Sequence, residues 1–170
     1  MKNWNTEEEL VKNLKADFKA NGIKATIRRD RGGWTTALTI TVATQESDFE
    51  PFDNYVKEYK PNPKEKLYTK DDDLISFWDW QDLPKESREH LRVYTATMNY
   101  NYMRREKASL NRFHIDAYTE LNAKFRDKLK KVIQICDNYN YDNSDVQTDY
   151  FDVVFYMDLQ LRNKGLQEVA

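Results

Sequence analysis

Tyr150-Phe151-Asp152-Val153-Val154-Phe155-Tyr156-Met157-Asp158-Leu159-Gln160-Leu161 decides how this chain folds. Phe151, Val153, Phe155, Met157, Leu159 and Leu161 alternate with Tyr150, Asp152, Val154, Tyr156, Asp158 and Gln160. A two-residue period with one nearly pure apolar face is the pattern of a strand lying on a core. No other stretch carries so strong a strand signal, and a strand needs partners.

The partners are sought near the N-terminus. Ile23-Lys24-Ala25-Thr26-Ile27-Arg28 also alternates, Arg29 to Gly33 is a turn with two adjacent glycines, and Trp34 to Thr44 is rich in Thr and β-branched residues. Thr36, Leu38, Ile40 and Val42 share one face of that second strand, and the whole reads as a β-hairpin. A two-stranded hairpin is marginal alone, so the late strand is expected to join it.

Helices fill the rest. Thr6 followed by Glu9 is a capping-box pattern, Leu10, Val11, Leu14 and Phe18 recur at helical spacing, and Asn21-Gly22 is a stop. The reading is a helix over 6–21. Leu83-Pro84-Lys85-Glu86 opens a second helix over about 85–107, with Leu91, Tyr94, Met98 and Tyr102 on one face. A third begins near Asp116, where Tyr118, Leu121, Phe125, Leu129, Val132 and Cys136 form an apolar stripe. Residues 48–59 suggest a short helix interrupted by Pro51, 61–64 a loop, and Leu74 to Trp80 an aromatic segment of unassigned type. The expectation is an α+β fold in a single domain over 1–170. Its antiparallel sheet of three or more strands, the N-terminal hairpin plus the C-terminal strand, packs against helices.

Composition bounds the function. The chain has 170 residues, with 27 Lys and Arg against 29 Asp and Glu, a net charge of −2 that excludes a strongly basic nucleic-acid coat. The opening residues lack the apolar stretch of a signal peptide and no apolar run is long enough to span a membrane, so the expected location is cytoplasmic with no membrane partner. A single cysteine, Cys136, excludes an internal disulfide and a cysteine-cluster metal site. Aromatics make up 14% of the chain, enough that some rings are expected at contact surfaces.

Charge is unevenly spread. Residues 11–31 hold seven bases against two acids, and 137–158 hold six acids and no base. Such poles steer charged partners. The hairpin tip offers Arg28, Arg29, Arg31 and Trp34, a set able to grip phosphate and stack on a base. Against that, short Arg clusters are common on wet surfaces, with a Trp covering a core edge. The acidic segment offers Tyr139, Tyr141, Asp142, Asp145, Asp149 and Tyr150 as a protein-contact surface, since Tyr is favoured at interfaces. Its spaced carboxylates could also imitate DNA phosphates. The plainer account is a helix-to-strand loop whose Asp and Asn side chains build turns. As a calcium loop read from Asn138 it fails, with Asn143 in the glycine position and Asp149 in place of the bidentate Glu.

Lys124, Arg126, Lys128, Lys130 and Lys131 lie on the far side of the last helix, where a charge run is usually the wet face; Arg104, Arg105, Lys107 and Arg112 would extend a basic groove only if they converged. Catalysis has little to stand on. His114-Ile115-Asp116 and Glu89-His90 are ordinary neighbours, there is no phosphate loop or paired-histidine helix, and Cys136 sits on an apolar stripe as a buried small hydrophobe. No enzyme activity, cofactor or metal is expected; several carboxylates converging in one pocket would reopen the question.

Two stretches carry a resemblance. Lys12 to Val42, with Ile23 to Gly33 at its centre, and Asn138-Tyr139-Asn140-Tyr141-Asp142-Asn143-Ser144-Asp145 followed by Thr148 to Tyr156 resemble a small domain family associated with the large polyvalent proteins of bacteriophages and conjugative elements. The resemblance covers the two ends and not the aromatic middle or the basic helix. It implies a setting on mobile DNA, with no catalytic residues to carry over. The expectation that follows is an accessory protein that inhibits a host defence nuclease, of anti-CRISPR or anti-restriction type, by direct binding to the nuclease or its nucleic-acid complex. The alternative is a nucleic-acid-binding accessory protein using the Arg hairpin and the basic helix face. Oligomeric state is not legible.

Overall fold

The computed structural model describes residues 6–30, 36–69, 73–140 and 155–169. Helix α1, Glu7–Ala20, starts where the sequence says it should: the Thr6 hydroxyl accepts a hydrogen bond from the Glu9 N–H at 3.2 Å, and Leu10, Leu14 and Phe18 turn inward. It stops at Asn21, and Gly22 adopts φ 67°, a left-handed conformation that glycine takes without a Cβ penalty. The hairpin follows as β1, Ala25–Asp30, and β2, Ala37–Thr44, paired antiparallel. Leu38, Ile40 and Val42 are buried as their spacing requires.

A short helix α2, Phe52–Glu58, begins immediately after Pro51 rather than being broken by it. Proline has no N–H to lose at a helix entry. The unassigned stretch then resolves into β3, Lys66–Tyr68, paired with β4, Leu74–Ser76, and a short helix α3, Phe77–Gln81, capped by Ser76. Trp80 is anchored by its indole N–H to the Arg88 carbonyl at 2.9 Å, while Trp78 stays 64% exposed. Helix α4, Lys85–Arg104, ends sooner than expected, and β5, Lys107–Leu110, takes over. Four residues with Ala108 and Leu110 inward are too few to announce a strand by period. Helix α5, Ala123–Asp137, starts at Asn122, whose side chain accepts from the Phe125 N–H, and not near Asp116, which lies in a 3-10 turn over Ile115–Ala117. Tyr118 and Leu121 match the stripe without belonging to the helix, because both still face the core from the preceding loop.

The decisive strand is β6, Tyr156–Asn163. Phe155, Leu159 and Leu161 are buried, and Tyr156 and Asp158 are exposed, so the alternation holds over the described part. The fold is α+β, with a four-stranded sheet in the order β1-β2-β6-β5 and a separate two-stranded sheet. The sheet is mixed, which corrects the antiparallel expectation in one pairing: β6 runs parallel to β2 and antiparallel to β5. A two-residue period says which face is apolar and nothing about direction. Direction follows from where the chain returns. The Tyr156 N–H donates to the Thr36 carbonyl at 2.9 Å, beside the start of β2.

One core joins the sheet to α1, α4 and α5, with Phe125, Leu129, Val132 and Cys136 of α5 contributing the stripe read from sequence. Cys136 is buried, and burial pushes its thiol up to about 12, as befits a packing residue. No helix among the described residues is long and apolar enough to cross a membrane.

Candidate binding cleft

The side chains singled out from sequence do not assemble a site. Tyr139 is only 3% exposed, and its hydroxyl donates to Asp17 Oδ2 at 2.8 Å, tying the end of α5 to α1. It is a packing residue, which corrects its place in the expected contact surface. An amphipathic Tyr serves a buried position whenever its O–H finds a partner. Tyr141, Asp142, Asp145, Asp149 and Tyr150 lie outside the described residues, as do Arg31 and Trp34. Arg28 and Arg29 are neighbours on a strand and so point to opposite faces. Arg28 is exposed, whereas Arg29 turns toward α1, 3.7 Å from Glu7 and 3.9 Å from Glu8. The two therefore do not act as one cluster.

Several residues of the other basic sets are held within the fold, while Lys107, Lys124 and Lys131 stay exposed. Arg104 is buried and holds Glu46 through two 2.7 Å bonds, with the Phe49 and Tyr100 rings 5.2 and 5.3 Å from its guanidinium. That hydrogen bonding also keeps the Glu46 carboxyl below the usual carboxylate range. Arg112 pairs with Asp137 at 3.1 Å, and Arg105 lies over the Tyr102 ring. On α5, Arg126 donates to the Leu121 carbonyl at 2.6 Å, Lys128 covers the Phe125 ring and Lys130 pairs with Asp116 at 2.5 Å. This is the ordinary wet face of an amphipathic helix.

A cleft that no motif announced brings titratable side chains together. Residues 48–50 run beside 120–122: the Glu50 N–H donates to the Glu120 carbonyl at 2.9 Å, the Asn122 N–H to the Asp48 carbonyl at 3.0 Å, and Phe49 and Leu121 form a bridge. Helix α2 makes a wall. Arg92 of α4 holds it by donating to the carbonyls of Val56 and Tyr59, at 2.5 and 2.9 Å, while gripping Glu89. Tyr55 packs on Tyr100, ring centres 5.3 Å apart, and the Tyr100 hydroxyl donates to the Glu50 carbonyl at 2.6 Å.

The resulting cavity is about 660 Å³ and is lined by Glu50, Glu58, Glu65 and Glu120, by Tyr55 and Tyr59, and by the amides of Asn54, Asn62 and Asn99. Lys60 and Arg126 are its two cations, against four carboxylates. Glu120 is the exceptional member, 8% exposed. Its Oε1 accepts from the Tyr55 hydroxyl at 3.0 Å, while Oε2 is buried with no hydrogen-bond partner. Burial raises the Glu120 carboxyl, with Glu65 adding to it, and its own backbone N–H, the Tyr55 hydroxyl and the Arg126 charge only partly offset this. Tyr55 is itself raised by burial and by Glu120, and Tyr59 by burial and by Glu65, whose Oε2 lies 3.4 Å from its hydroxyl. Both phenols therefore stay protonated as donors. A buried carboxylate oxygen without a protein donor is rare in a folded protein and leaves an acceptor open to solvent or to a ligand's donor. The arrangement fits an ammonium or guanidinium group, which brings hydrogen-bond donors, positive charge and affinity for aromatic faces.

Among the described residues no group of three His, Cys, Asp or Glu side chains is placed to hold a metal ion. Sequence reasoning missed Tyr55, Glu58, Tyr59 and Glu65 because the residue that makes them a site, Glu120, comes from a distant stretch of chain. The one local signal was Tyr55 and Tyr59, four residues apart on one helical face. No family model, curated protein or solved structure matches this chain.

Proposed function

We propose that this chain is a non-enzymatic binding protein that receives a basic side chain of a protein partner in the Glu120 cleft. In the setting implied by its two end segments, the partner is a host defence nuclease of CRISPR or restriction type, blocked by direct contact. The observation that carries the reading is Glu120: a buried carboxylate with one unpartnered oxygen, in a cavity holding three further carboxylates. Nucleases hold their substrate by Lys and Arg on phosphate, and an acidic cleft competes for the same cations. The nucleic-acid alternative has less behind it, because Arg29 and the α5 cations Arg126 and Lys130 are engaged within the fold.

The test mixes purified protein with a panel of purified CRISPR effectors and restriction enzymes and follows cleavage. One nuclease is expected to be inhibited stoichiometrically, with a complex on gel filtration that survives nuclease digestion of all nucleic acid. Glu120→Gln, which keeps the acceptor for Tyr55, is expected to weaken inhibition at least tenfold. Unimpeded cleavage across the panel, with no complex formed, sinks the inhibitor reading.

One observation favours a second reading. Several carboxylates do line one pocket, and the raised Glu120 is suited to hold a proton for general-acid work. His90 and His114 do not line the cleft, and Cys136 is buried elsewhere, so such a reaction would rest on carboxylates and tyrosines alone. Hydrolysis of a glycoside or amide substrate panel, lost in Glu120→Gln, would establish it.

A further inference from the structure

The outer face of the sheet carries a second arrangement, independent of the cleft. Register places Ala43 of β2 opposite Arg162 of β6, and Arg162 opposite Lys107 of β5. On the other side Lys24 continues β1 by one residue beyond the Ala25–Val42 pair and so falls beside Ala43. Lys24, Ala43, Arg162 and Lys107 thus form one row across all four strands, and every one of them is exposed. The next row is Thr26, Thr41, Gln160 and Ser109, three hydroxyls and an amide. Neither row contains a carboxylate. Among the paired strand residues, the first carboxylate on this face is Asp158, one row further on, which takes the Gln160 amide at 2.6 Å.

Strands lie about 4.8 Å apart, so Lys24 and Arg162 are separated by roughly 10 Å and Arg162 and Lys107 by about 5 Å. The small Ala43 leaves a hollow between the first two. It is a concavity of about 380 Å³ lined by Lys24, Thr26, Thr41, Ala43, Arg162 and Lys164 among others. Cations in a line beside a line of uncharged donors suit a chain of phosphates: the cations neutralise and the hydroxyls donate. No aromatic ring stands in either row, so nothing there stacks on or reads a base.

We propose that this corner of the sheet binds the phosphate backbone of nucleic acid without regard to sequence. The residues are Lys24, Arg162 and Lys107, with Lys164 at the edge of the hollow. The cleft and the corner are of opposite sign, and the corner would hold nucleic acid whether or not the cleft holds a protein.

The test is fluorescence anisotropy with labelled 20-nucleotide single strands of mixed, all-T and all-A sequence, and a 20-base-pair duplex, from 50 to 200 mM salt. Binding is expected to be alike for the three single strands. Three cations on phosphates of a single strand predict that affinity falls about 20-fold over that salt range. Arg162→Glu is expected to weaken binding about tenfold at 50 mM salt, and Lys24→Gln with Lys107→Gln to flatten the salt slope. Lys131→Glu, an exposed α5 cation away from both rows, is expected to bind as the wild type. All four positions are exposed, so circular dichroism and melting should match the wild type. The proposal is overturned by no binding at 50 mM salt, by binding that Arg162→Glu leaves intact, by equal loss in Lys131→Glu, or by inorganic polyphosphate binding where the oligonucleotides do not.

Discussion

The Glu120 cleft and the Arg162 corner hold opposite charges by different means. In the cleft, the carboxylates come from residues 50–65 and 120, two of them, Glu120 and Glu65, accept from tyrosine hydroxyls, and Glu120 is one that folding takes out of water. At the corner, the cations are exposed and need only strand register to be neighbours. The difference teaches where each depends on the fold. The cleft stores unfavourable desolvation that a ligand can relieve, so its binding and the stability of the protein are linked. The corner stores almost none, so its charges can be changed with little cost to folding.

Substitutions that separate the two regions follow from this. Leu121→Ala has the largest expected effect. It removes a fully buried side chain from the bridge that carries Glu120, at a cost of about 2–5 kcal/mol by denaturant melting, and it should loosen the cleft while oligonucleotide binding at the corner persists in the folded fraction. Tyr55→Phe comes next. It strips Glu120 of its one side-chain donor and should cost about 1–3 kcal/mol; a cost below the measurement error would mean that the Tyr55–Glu120 bond is not formed.

The pH profile is a third and smaller effect. Glu120 is raised in the folded state, so between the ordinary Glu value of about 4.3 and its raised value the folded protein binds more protons than the unfolded chain. This contribution to stability is therefore complete at low pH and lost as pH rises through that window. Glu120→Gln should abolish the loss, and Tm measured from pH 4 to 8 should show the variant gaining on the wild type as pH rises. Parallel profiles would mean that Glu120 is not desolvated. The smallest effect on stability belongs to Ala43→Glu. It sets a carboxylate between Lys24 and Arg162 on an exposed position and should shift stability by no more than about 0.5 kcal/mol. It should nonetheless weaken oligonucleotide binding about as much as Arg162→Glu. A large loss of stability instead would show that the corner is not the open surface described.

What could be read from the sequence was periodic or local. The helix from Glu7, its Thr6 cap and its Gly22 stop were legible, as were the inward residues of β2 and β6, because each rests on neighbours within a few positions. Elements of three or four residues, β3, β4 and β5, were not, since they are shorter than any period that could announce them. The basic sets misled for a related reason. Arg29 looked like a phosphate-gripping group, and Arg104 like part of a basic groove, until carboxylate partners arrived from Glu7 and Glu8 and from Glu46. Tyr139 looked like an interface residue until Asp17, far upstream, took its hydroxyl.

By itself, then, the sequence determined the α+β class, the first helix with its Thr6 cap, the presence of the two later long helices, which face of each long strand is apolar, and the burial of Cys136. Tertiary structure alone decided that β6 enters parallel to β2, that Glu50, Tyr55, Glu65 and Glu120 share a cavity, and that Lys24, Arg162 and Lys107 stand in one row. The physical reason is range. Periodicity and capping are properties of a few consecutive residues, whereas strand direction, buried charge and cross-strand rows depend on where distant segments return, and no local pattern of side chains encodes that.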